Sequence, residues 1–248
     1  MDVNDFCTLT PASVRFEEAG ASAFAKGVAG DFNPIHDPGS KRFCVPGDLL
    51  FSVLLNRYGV HADTGVRFAG MLDAGVELEL PPTLDESLHL ADAREREVLT
   101  FFGSGPCHDE PEFVAGLSRA YVQFSGATFP DILVELMRAA GVMINPARPL
   151  VIYKDMALRV AQAVTAGQAS EQRLTLTESE LSVTGKKGVA RLGFRIDAGD
   201  VHVGDGEKNL VLSGLRPFDE EAMATLVEDY EALRQHYGSE PYIVSVAS

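Results

Sequence analysis

Residues 29–38, AGDFNPIHDP, bring an acid, an amide and an imidazole together beside two prolines. Asp31 and His36 are five positions apart, and each proline disfavours the α-helical conformation in the residue before it. The segment is therefore predicted to be a bent loop in which the two side chains can face one point. A carboxylate and an imidazole that share a water molecule form an acid–base pair. The alternative is an Asx turn built by Asn33, with His36 a solvated loop residue.

A helix is predicted shortly after this loop, from Pro46 to Tyr58. The sequence PGDLLFSVLLNRY begins with a proline, which suits a first turn that needs no N–H donor, and Gly59 follows as a C-terminal cap. Apolar residues occupy nearly every side of the segment. Such a helix is expected to be buried inside the protein.

The loop and the helix together resemble the MaoC-like dehydratases, a group of hot dog folds that includes the R-specific enoyl-CoA hydratases. The family pattern is roughly A-x-x-S/T-G-D-x-N-P-I-H-x-D, then a variable stretch, then A-H-G-M-L-x-x-S. Residues 25–38, AKGVAGDFNPIHDP, fit the first part closely, and residues 45–52, VPGDLLFS, fit the second part less well. The resemblance implies catalytic roles for Asp31 and His36, and oxyanion and substrate-binding roles for Gly47, Asn33 and Ser52, with Asn33 also structural.

The chemistry implied by the resemblance is hydration of a trans-2-enoyl thioester to a 3-hydroxyacyl thioester, or its reverse. Asp31 and His36 would hold a water between them, remove its proton as it adds to C3, and return a proton at C2. The developing enolate needs hydrogen-bond donors. Backbone N–H groups and the positive end of the helix dipole near Gly47 would supply them.

The sequence departs from the family pattern at two positions beside Gly47. Pro46 stands where the family has histidine, and Asp48 stands where it has methionine. Asp48 suits the helix dipole, but a carboxylate pointing inward would oppose an enolate. Two alternatives to the hydratase follow: a non-catalytic module that binds acyl-CoA or an acyl carrier, and a thioesterase of the same fold that uses Asp48. Lys41 and Arg42 are further candidates, for a CoA phosphate, or else a merely solvated basic pair.

The elements that carry these residues predict an α+β double hot dog, an internal pseudo-dimer in which two antiparallel sheets each wrap around one long helix. The first half, residues 1–126, would hold the motif; the second, residues 127–248, would be a degenerate copy that ends in an amphipathic helix over residues 219–237. Residues 113–124 are predicted as a strand, and residues 130–143 as the second buried helix. Because the second half lacks the Asp-x-Asn-Pro-x-His pattern, one site per chain is expected.

The amino-acid composition limits the partners, the cellular location and the cofactors that the sequence predicts. The 248 residues carry a net charge of −15, which argues against a general nucleic-acid or anionic-membrane partner, while a small anionic thioester needs only a few local cations. No apolar stretch reaches the ~18 to 20 residues of a membrane span, and the acidic start is unlike a signal peptide, so a cytoplasmic location is predicted. Neither a metal nor a cofactor is expected, because the three cysteines and the other histidines lack ligand spacing. A further homodimer is left open.

Overall fold

A computed structural model describes residues 1–161, 171–238 and 245–246. Within these residues the helices are α1 (Glu18–Phe24), α2 (Gly47–Tyr58), α3 (Pro111–Gly126), α4 (Leu133–Ala139) and α5 (Glu220–His236). The strands are β1 (Thr8–Leu9), β2 (Ser13–Arg15), β3 (Val60–Phe68), β4 (Glu77–Glu79), β5 (Ser87–Ala91), β6 (Glu97–His108), β7 (Val142–Met143), β8 (Val151–Val160), β9 (Gln172–Thr184), β10 (Lys187–Ala198), β11 (Val201–Ser213), β12 (Arg216–Pro217) and β13 (Ser245–Val246).

One eight-stranded sheet runs through the molecule in the order β13-β9-β10-β11-β8-β3-β6-β5. Its two halves meet where β3 pairs antiparallel with β8, from Asp63 opposite Arg159 to Arg67 opposite Asp155. A smaller sheet, β1-β2-β4, lies beside β5. The two halves therefore pair edge to edge into one continuous sheet.

The first predicted helix is confirmed as α2. Pro46 precedes it in an extended conformation, and Gly59 ends it with a φ of 77°, a left-handed conformation that favours glycine. Phe51 is fully buried and contacts Phe101 of β6, with ring centroids 6.2 Å apart, and Tyr121 of α3, with centroids 5.4 Å apart. The helix therefore lies between its own sheet and the second long helix.

The second buried helix is not where the sequence predicted it. Residues 113–124, predicted as a strand, belong to helix α3, and most of its apolar side chains recur at the three- and four-residue spacing of a helix. Pro111 begins α3 as a first-turn residue, the same signal that correctly located α2. The predicted helix over residues 130–143 is wrong in extent: a π-helical turn, Thr128–Ile132, leads into the short α4, and the helix ends at Ala139 before the strand β7.

Helix α3 takes the place expected of the second central helix. Phe124 contacts Phe194 of β10 with ring centroids 5.0 Å apart, while Ser118 contacts Ser52 of α2. Two long helices pack on one sheet, which is antiparallel except where β13 pairs with β9, and this arrangement makes the chain an α+β double hot dog. The division of the chain at residue 126, where α3 ends, stays a prediction.

Helix α5 confirms the predicted C-terminal helix and reaches back to the N-terminal loop. The Asp219 carboxylate caps it by accepting a hydrogen bond from the Ala222 N–H at 2.9 Å. Tyr230 of this helix is buried, whereas Leu233, three residues further on, is 42% exposed. Among the described residues, no helix is both long and apolar enough to span a bilayer.

Candidate active site

The loop over residues 30–37 is built by a chain of short hydrogen bonds. The Asp31 carboxylate accepts from the Asn33 N–H at 2.9 Å, and the side-chain Oδ1 of Asn33 accepts from the Ile35 N–H at 3.3 Å, which starts the 3₁₀ turn Pro34–His36. The side-chain Nδ2 of Asn33 also donates to the Val151 carbonyl oxygen of β8 at 3.2 Å. Asn33 therefore forms the Asx turn of the alternative interpretation, but His36 is buried and not the solvated loop residue that this alternative expected. Asn33 also ties the loop to the second half of the molecule.

The loop brings the predicted pair together. His36 Nε2 lies 3.5 Å from Asp31 Oδ2, longer than a good hydrogen bond. His36 Nδ1 is 2.7 Å from the Cys44 carbonyl oxygen; a carbonyl only accepts, so Nδ1 carries a proton and Nε2 faces the carboxylate. The His36 side chain is 7% exposed and the Asp31 side chain 32% exposed. The pair is anchored on the histidine side and open on the carboxylate side.

Burial and mutual attraction act against each other in this pair. Burial alone raises the pKa of Asp31, but the hydrogen bond and charge of His36 outweigh it and hold that pKa below its ordinary value. Burial lowers the pKa of His36, but Asp31, the Cys44 carbonyl and the charge of Asp48 together raise it. Both pKa shifts favour the charged forms of the pair, a carboxylate facing an imidazolium, that is, a base beside an acid.

Gly47 begins α2 and lies on the same cavity. A Cβ there would come within 2.6 Å of Cδ1 of Tyr153 and 3.1 Å of Cζ of Phe68, so close aromatic packing requires glycine at this position. The Leu49 and Leu50 N–H groups donate to the Pro46 carbonyl oxygen at 3.1 and 3.2 Å, which leaves the Gly47 and Asp48 N–H groups without a partner among the described residues. The helix dipole makes this end positive. The oxyanion role of Gly47 stays a prediction, and the packing gives a separate reason for glycine at this position.

Asp48 points inward, into a buried network rather than toward solvent. Oδ1 accepts from the Tyr121 hydroxyl at 2.7 Å and from Lys208 Nζ at 3.2 Å, and Oδ2 accepts from the Ser125 hydroxyl at 2.5 Å. Lys208 Nζ also contacts Ser125 Oγ and lies 4.0 Å from the centroid of the Tyr153 ring. Burial lowers the pKa of Lys208, against the attraction of Asp48.

Lys208 was missed by sequence reasoning, although a signal for it existed. Lys208 shares the strand parity of Leu210 and Leu212, and all three side chains of β11 are buried. A lysine at an inward strand position requires a partner. The identity of that partner depends on the fold, because Asp48 is 160 residues away in sequence.

Ser52 is a correction to the predicted substrate-binding set. Its hydroxyl donates to the Asp48 carbonyl oxygen at 2.8 Å and accepts from the Ser118 hydroxyl at 2.9 Å, and its side chain is fully buried between α2 and α3. Ser52 lies one turn beyond Asp48, on the face that α3 covers. The residue joins the two central helices and does not line the cavity.

These groups surround one cavity of about 550 Å³. Asp31, His36, Gly47 and Asp48 lie on its wall, while the exposed side chains of Lys41 and Arg42 lie at its mouth with Arg148 from the loop before β8. Cys44 also lines the cavity, and burial raises the pKa of its thiol to about 11, so it is a poor nucleophile at neutral pH. The size suits a ligand of drug-like dimensions.

The fold and the site define a double hot dog protein with one carboxylate–imidazole pair on a cavity between its halves. The chain belongs to the family described as "Protein of unknown function (DUF3581)", whose model matches residues 1–221. No curated protein matches the sequence.

Several solved structures are similar over most of the chain. A conserved protein of unknown function with a hot dog fold from Alicyclobacillus acidocaldarius is 11% identical over 87% of this chain and 98% of that one, with a TM-score of 0.45. The acyl-CoA thioesterase II TesB2 from Mycobacterium marinum is 14% identical over 89% and 99%, with a TM-score of 0.41. A tesB protein of Mycobacterium avium subs paratuberculosis is 9% identical over 83% and 94%, with a TM-score of 0.41. Similarity at this level transfers no activity.

Proposed function

We propose that the protein hydrates or dehydrates an acyl thioester, interconverting a trans-2-enoyl and a 3-hydroxyacyl group. The observation that carries the proposal is the Asp31–His36 pair, in which Nδ1 is fixed by the Cys44 carbonyl and Nε2 faces a carboxylate that is open to the cavity. The resemblance of this loop to the MaoC-like dehydratases supports the same reaction.

The charge state of the pair suggests the order of proton transfers. A water between Asp31 Oδ2 and His36 Nε2 gives its proton to the carboxylate as its oxygen adds to C3. The electron pair of the enoyl double bond moves toward the thioester oxygen, where the first-turn N–H groups of α2 stabilise the enolate. His36 then protonates C2 from Nε2, and transfer of the proton from Asp31 to His36 restores the pair.

The ion pair with Lys208 removes the objection that Asp48 raised at the sequence level. An unpaired carboxylate beside Gly47 would repel the enolate, but Lys208 Nζ lies 3.2 Å from Asp48 and neutralises its charge. The departure from the family pattern at residue 48 is therefore compatible with turnover.

Hydrolysis of the thioester is the second candidate, because the Asp48 carboxylate and the Ser125 hydroxyl line the same cavity. Asp48 would have to act as the base for a water. Three donors already occupy its two oxygens, which favours a structural role over a catalytic one. A binding module without turnover is the third candidate, and in it the cavity would hold a thioester without converting it.

One assay separates the three candidates. The protein is incubated with crotonyl-CoA while the enoyl absorbance and the appearance of free thiol are followed together. Hydration removes the absorbance without releasing thiol, hydrolysis releases thiol, and a binding module does neither although it binds the ligand. His89→Ala, at a histidine that is 68% exposed on the surface, is the matched control for His36→Ala. Thiol release that survives His36→Ala and disappears in a folded Asp48 variant would replace the hydratase with the thioesterase.

A further inference from the structure

We propose that Tyr230 of α5 is a positioning residue for Asp31, so that the C-terminal helix completes the N-terminal site. This inference rests on the proposed function, since it assigns a task to Tyr230 within that site. Tyr230 lies 199 positions beyond Asp31 in the chain.

The Tyr230 hydroxyl bonds the backbone on both sides of Asp31. It donates to the Gly30 carbonyl oxygen at 2.7 Å and accepts from the Phe32 N–H at 3.4 Å. These are the two residues that flank the catalytic carboxylate. One hydroxyl group therefore fixes both peptide groups that set the direction of the Asp31 side chain.

The ring of Tyr230 is held as firmly as its hydroxyl. It packs edge-on against Phe32, with centroids 5.2 Å apart at an interplanar angle of 89°, and against Phe129, with centroids 5.1 Å apart at 70°. The residue is only 8% exposed. A buried ring with two aromatic neighbours has little freedom, so its hydroxyl provides a fixed reference point for the loop.

Tyr230 complements the restraint on the other side of the same peptide group, because the Asp31 N–H already donates to the Ala25 carbonyl oxygen at 2.8 Å. Gly30 has a φ of 67°, a conformation that most side chains avoid, and Asp31 is the partly exposed member of the catalytic pair. The separation between Asp31 and His36 is set by where the loop places the carboxylate. Displacing a catalytic group by about 1 Å can cost about 100-fold in rate.

Tyr230→Phe tests the inference because it removes the hydroxyl and keeps the ring. Tyr58→Phe is the matched control: Tyr58 is also 8% exposed, and its hydroxyl donates to the Pro81 carbonyl at 2.8 Å, away from the cavity. We expect Tyr230→Phe to lower kcat on crotonyl-CoA by about 10- to 100-fold with KM within about twofold, since the effect is on the reacting geometry. Tyr58→Phe should leave both constants within about twofold.

A second readout does not depend on turnover. The C–H resonances of the His36 ring report its titration, and displacement of Asp31 should shift the His36 midpoint to lower pH because Asp31 is the main group that raises it. The other charged and polar groups that face the pair stay in place in this variant: Asp48, Lys208 and the Cys44 carbonyl. Tyr58→Phe should not move the midpoint.

The outcomes distinguish this inference from the proposed function. If the unaltered protein does not convert an enoyl thioester, the proposed function fails, yet the His36 titration still tests Tyr230. In an Asp31→Asn background, Tyr230→Phe should produce no further shift, because its effect passes through Asp31. A folded Tyr230→Phe variant with an unchanged His36 midpoint and an unchanged kcat would overturn the inference.

Discussion

Two pairs of a carboxylate and a cationic side chain line the same cavity, and they differ in almost every other respect. Asp31 and His36 come from one short loop, lie 3.5 Å apart, and leave the carboxylate 32% exposed. Asp48 and Lys208 come from α2 and β11, lie 3.2 Å apart, and are 11% and 3% exposed as side chains. The first pair is open to the cavity on its carboxylate side, and the second is enclosed by the protein.

The difference shows how similar groups can serve either chemistry or structure. Every carboxylate oxygen of Asp48 has a donor from the protein, with Tyr121 and Ser125 completing what Lys208 begins. Asp31 Oδ2 faces only His36 Nε2 among the described residues, at a distance that a bridging water would improve. A pair whose carboxylate still has an oxygen free to accept a hydrogen bond can exchange protons with a ligand. A pair whose oxygens all have protein donors instead fixes the helices and strands that carry it.

The largest expected effect comes from removing the Asp31–His36 pair, called the open pair because its carboxylate is exposed to the cavity. Asp31→Asn and His36→Ala should each reduce turnover of an enoyl thioester by about 10² to 10⁴-fold, while the affinity for the thioester stays nearly unchanged, because proton transfer is needed only in the transition state. Steady-state kinetics and ligand titration measure the two quantities. The double variant should be little worse than either single one, since both residues act on one water. Additive losses would contradict that shared water.

Breaking the Asp48–Lys208 pair, called the closed pair because the protein encloses it, should lower the stability of the protein more than its activity. Lys208→Met leaves the Asp48 carboxylate buried without its cation, and the loss of one partner of a buried ion pair typically costs about 3 to 5 kcal/mol in the free energy of unfolding. Urea unfolding followed by circular dichroism measures the loss. Asp48→Met, which restores the family residue, should be similarly harmful by itself because it strands Lys208.

The matched control replaces both charges. Asp48→Met with Lys208→Met removes the ion pair as a unit and should recover most of the stability lost by either single variant. Hydration should survive in this double variant if the pair is structural. Loss of all turnover in a stable double variant would instead give Asp48 or Lys208 a part in the reaction.

The same contrast explains which parts of the site could be predicted from sequence. Asp31, Asn33 and His36 lie within six residues, and Pro34 bends the loop that joins them, so local chemistry is enough. Lys208 and Tyr230 reach the cavity only through strand pairing and helix packing over more than 150 residues. No spacing rule can connect such residues, because their separation in sequence carries no information on distance.

The fold was predictable where one element was unambiguous. The helix α2 has a proline start, a glycine end and apolar residues on all sides, and these signals agree. Helix α3 was misassigned because its apolar residues are dense enough to pass for a buried strand, and Arg119 and Gln123 are its main polar interruptions. Tyr121 and Ser125 lie one turn apart, so recognising this helix would also have placed two partners of Asp48 on one face.

A smaller effect is expected from the glycine that lets α3 approach the catalytic loop. A Cβ on Gly126 would overlap the Ala29 carbonyl oxygen, two residues before Asp31, and backbone cannot move aside as a side chain can. Gly126→Ala should therefore destabilise the protein by about 1 to 3 kcal/mol, as overpacking usually does. Gly27→Ala is the matched control, because a Cβ there meets nothing within 4 Å. Equal stability of the two variants would show that the approach of α3 to Ala29 is looser than described.

The smallest expected effect is a difference in pH dependence between the two pairs. The pKa of His36 is raised above its ordinary 6.5, so its contribution to stability is complete below 6.5 and is lost as the pH rises through the folded value. The pKa of Asp31 is held below its ordinary 3.8, so its contribution is present above 3.8 and is lost as the pH falls through the folded value. The open pair should stabilise the protein most between about pH 4 and 6.5.

The closed pair should show the opposite trend on the alkaline side. Burial lowers the pKa of Lys208 below its ordinary 10.5, so the unfolded chain binds more protons there and stability rises with pH from the folded value toward 10.5. Urea unfolding between pH 6 and 9 should therefore show the difference between wild type and His36→Gln shrinking as the pH rises. The difference between wild type and Lys208→Met should stay level or grow over the same range. If both differences fell together, the two pairs would be one coupled titrating unit, and the distinction between an open catalytic pair and a closed structural pair would be wrong.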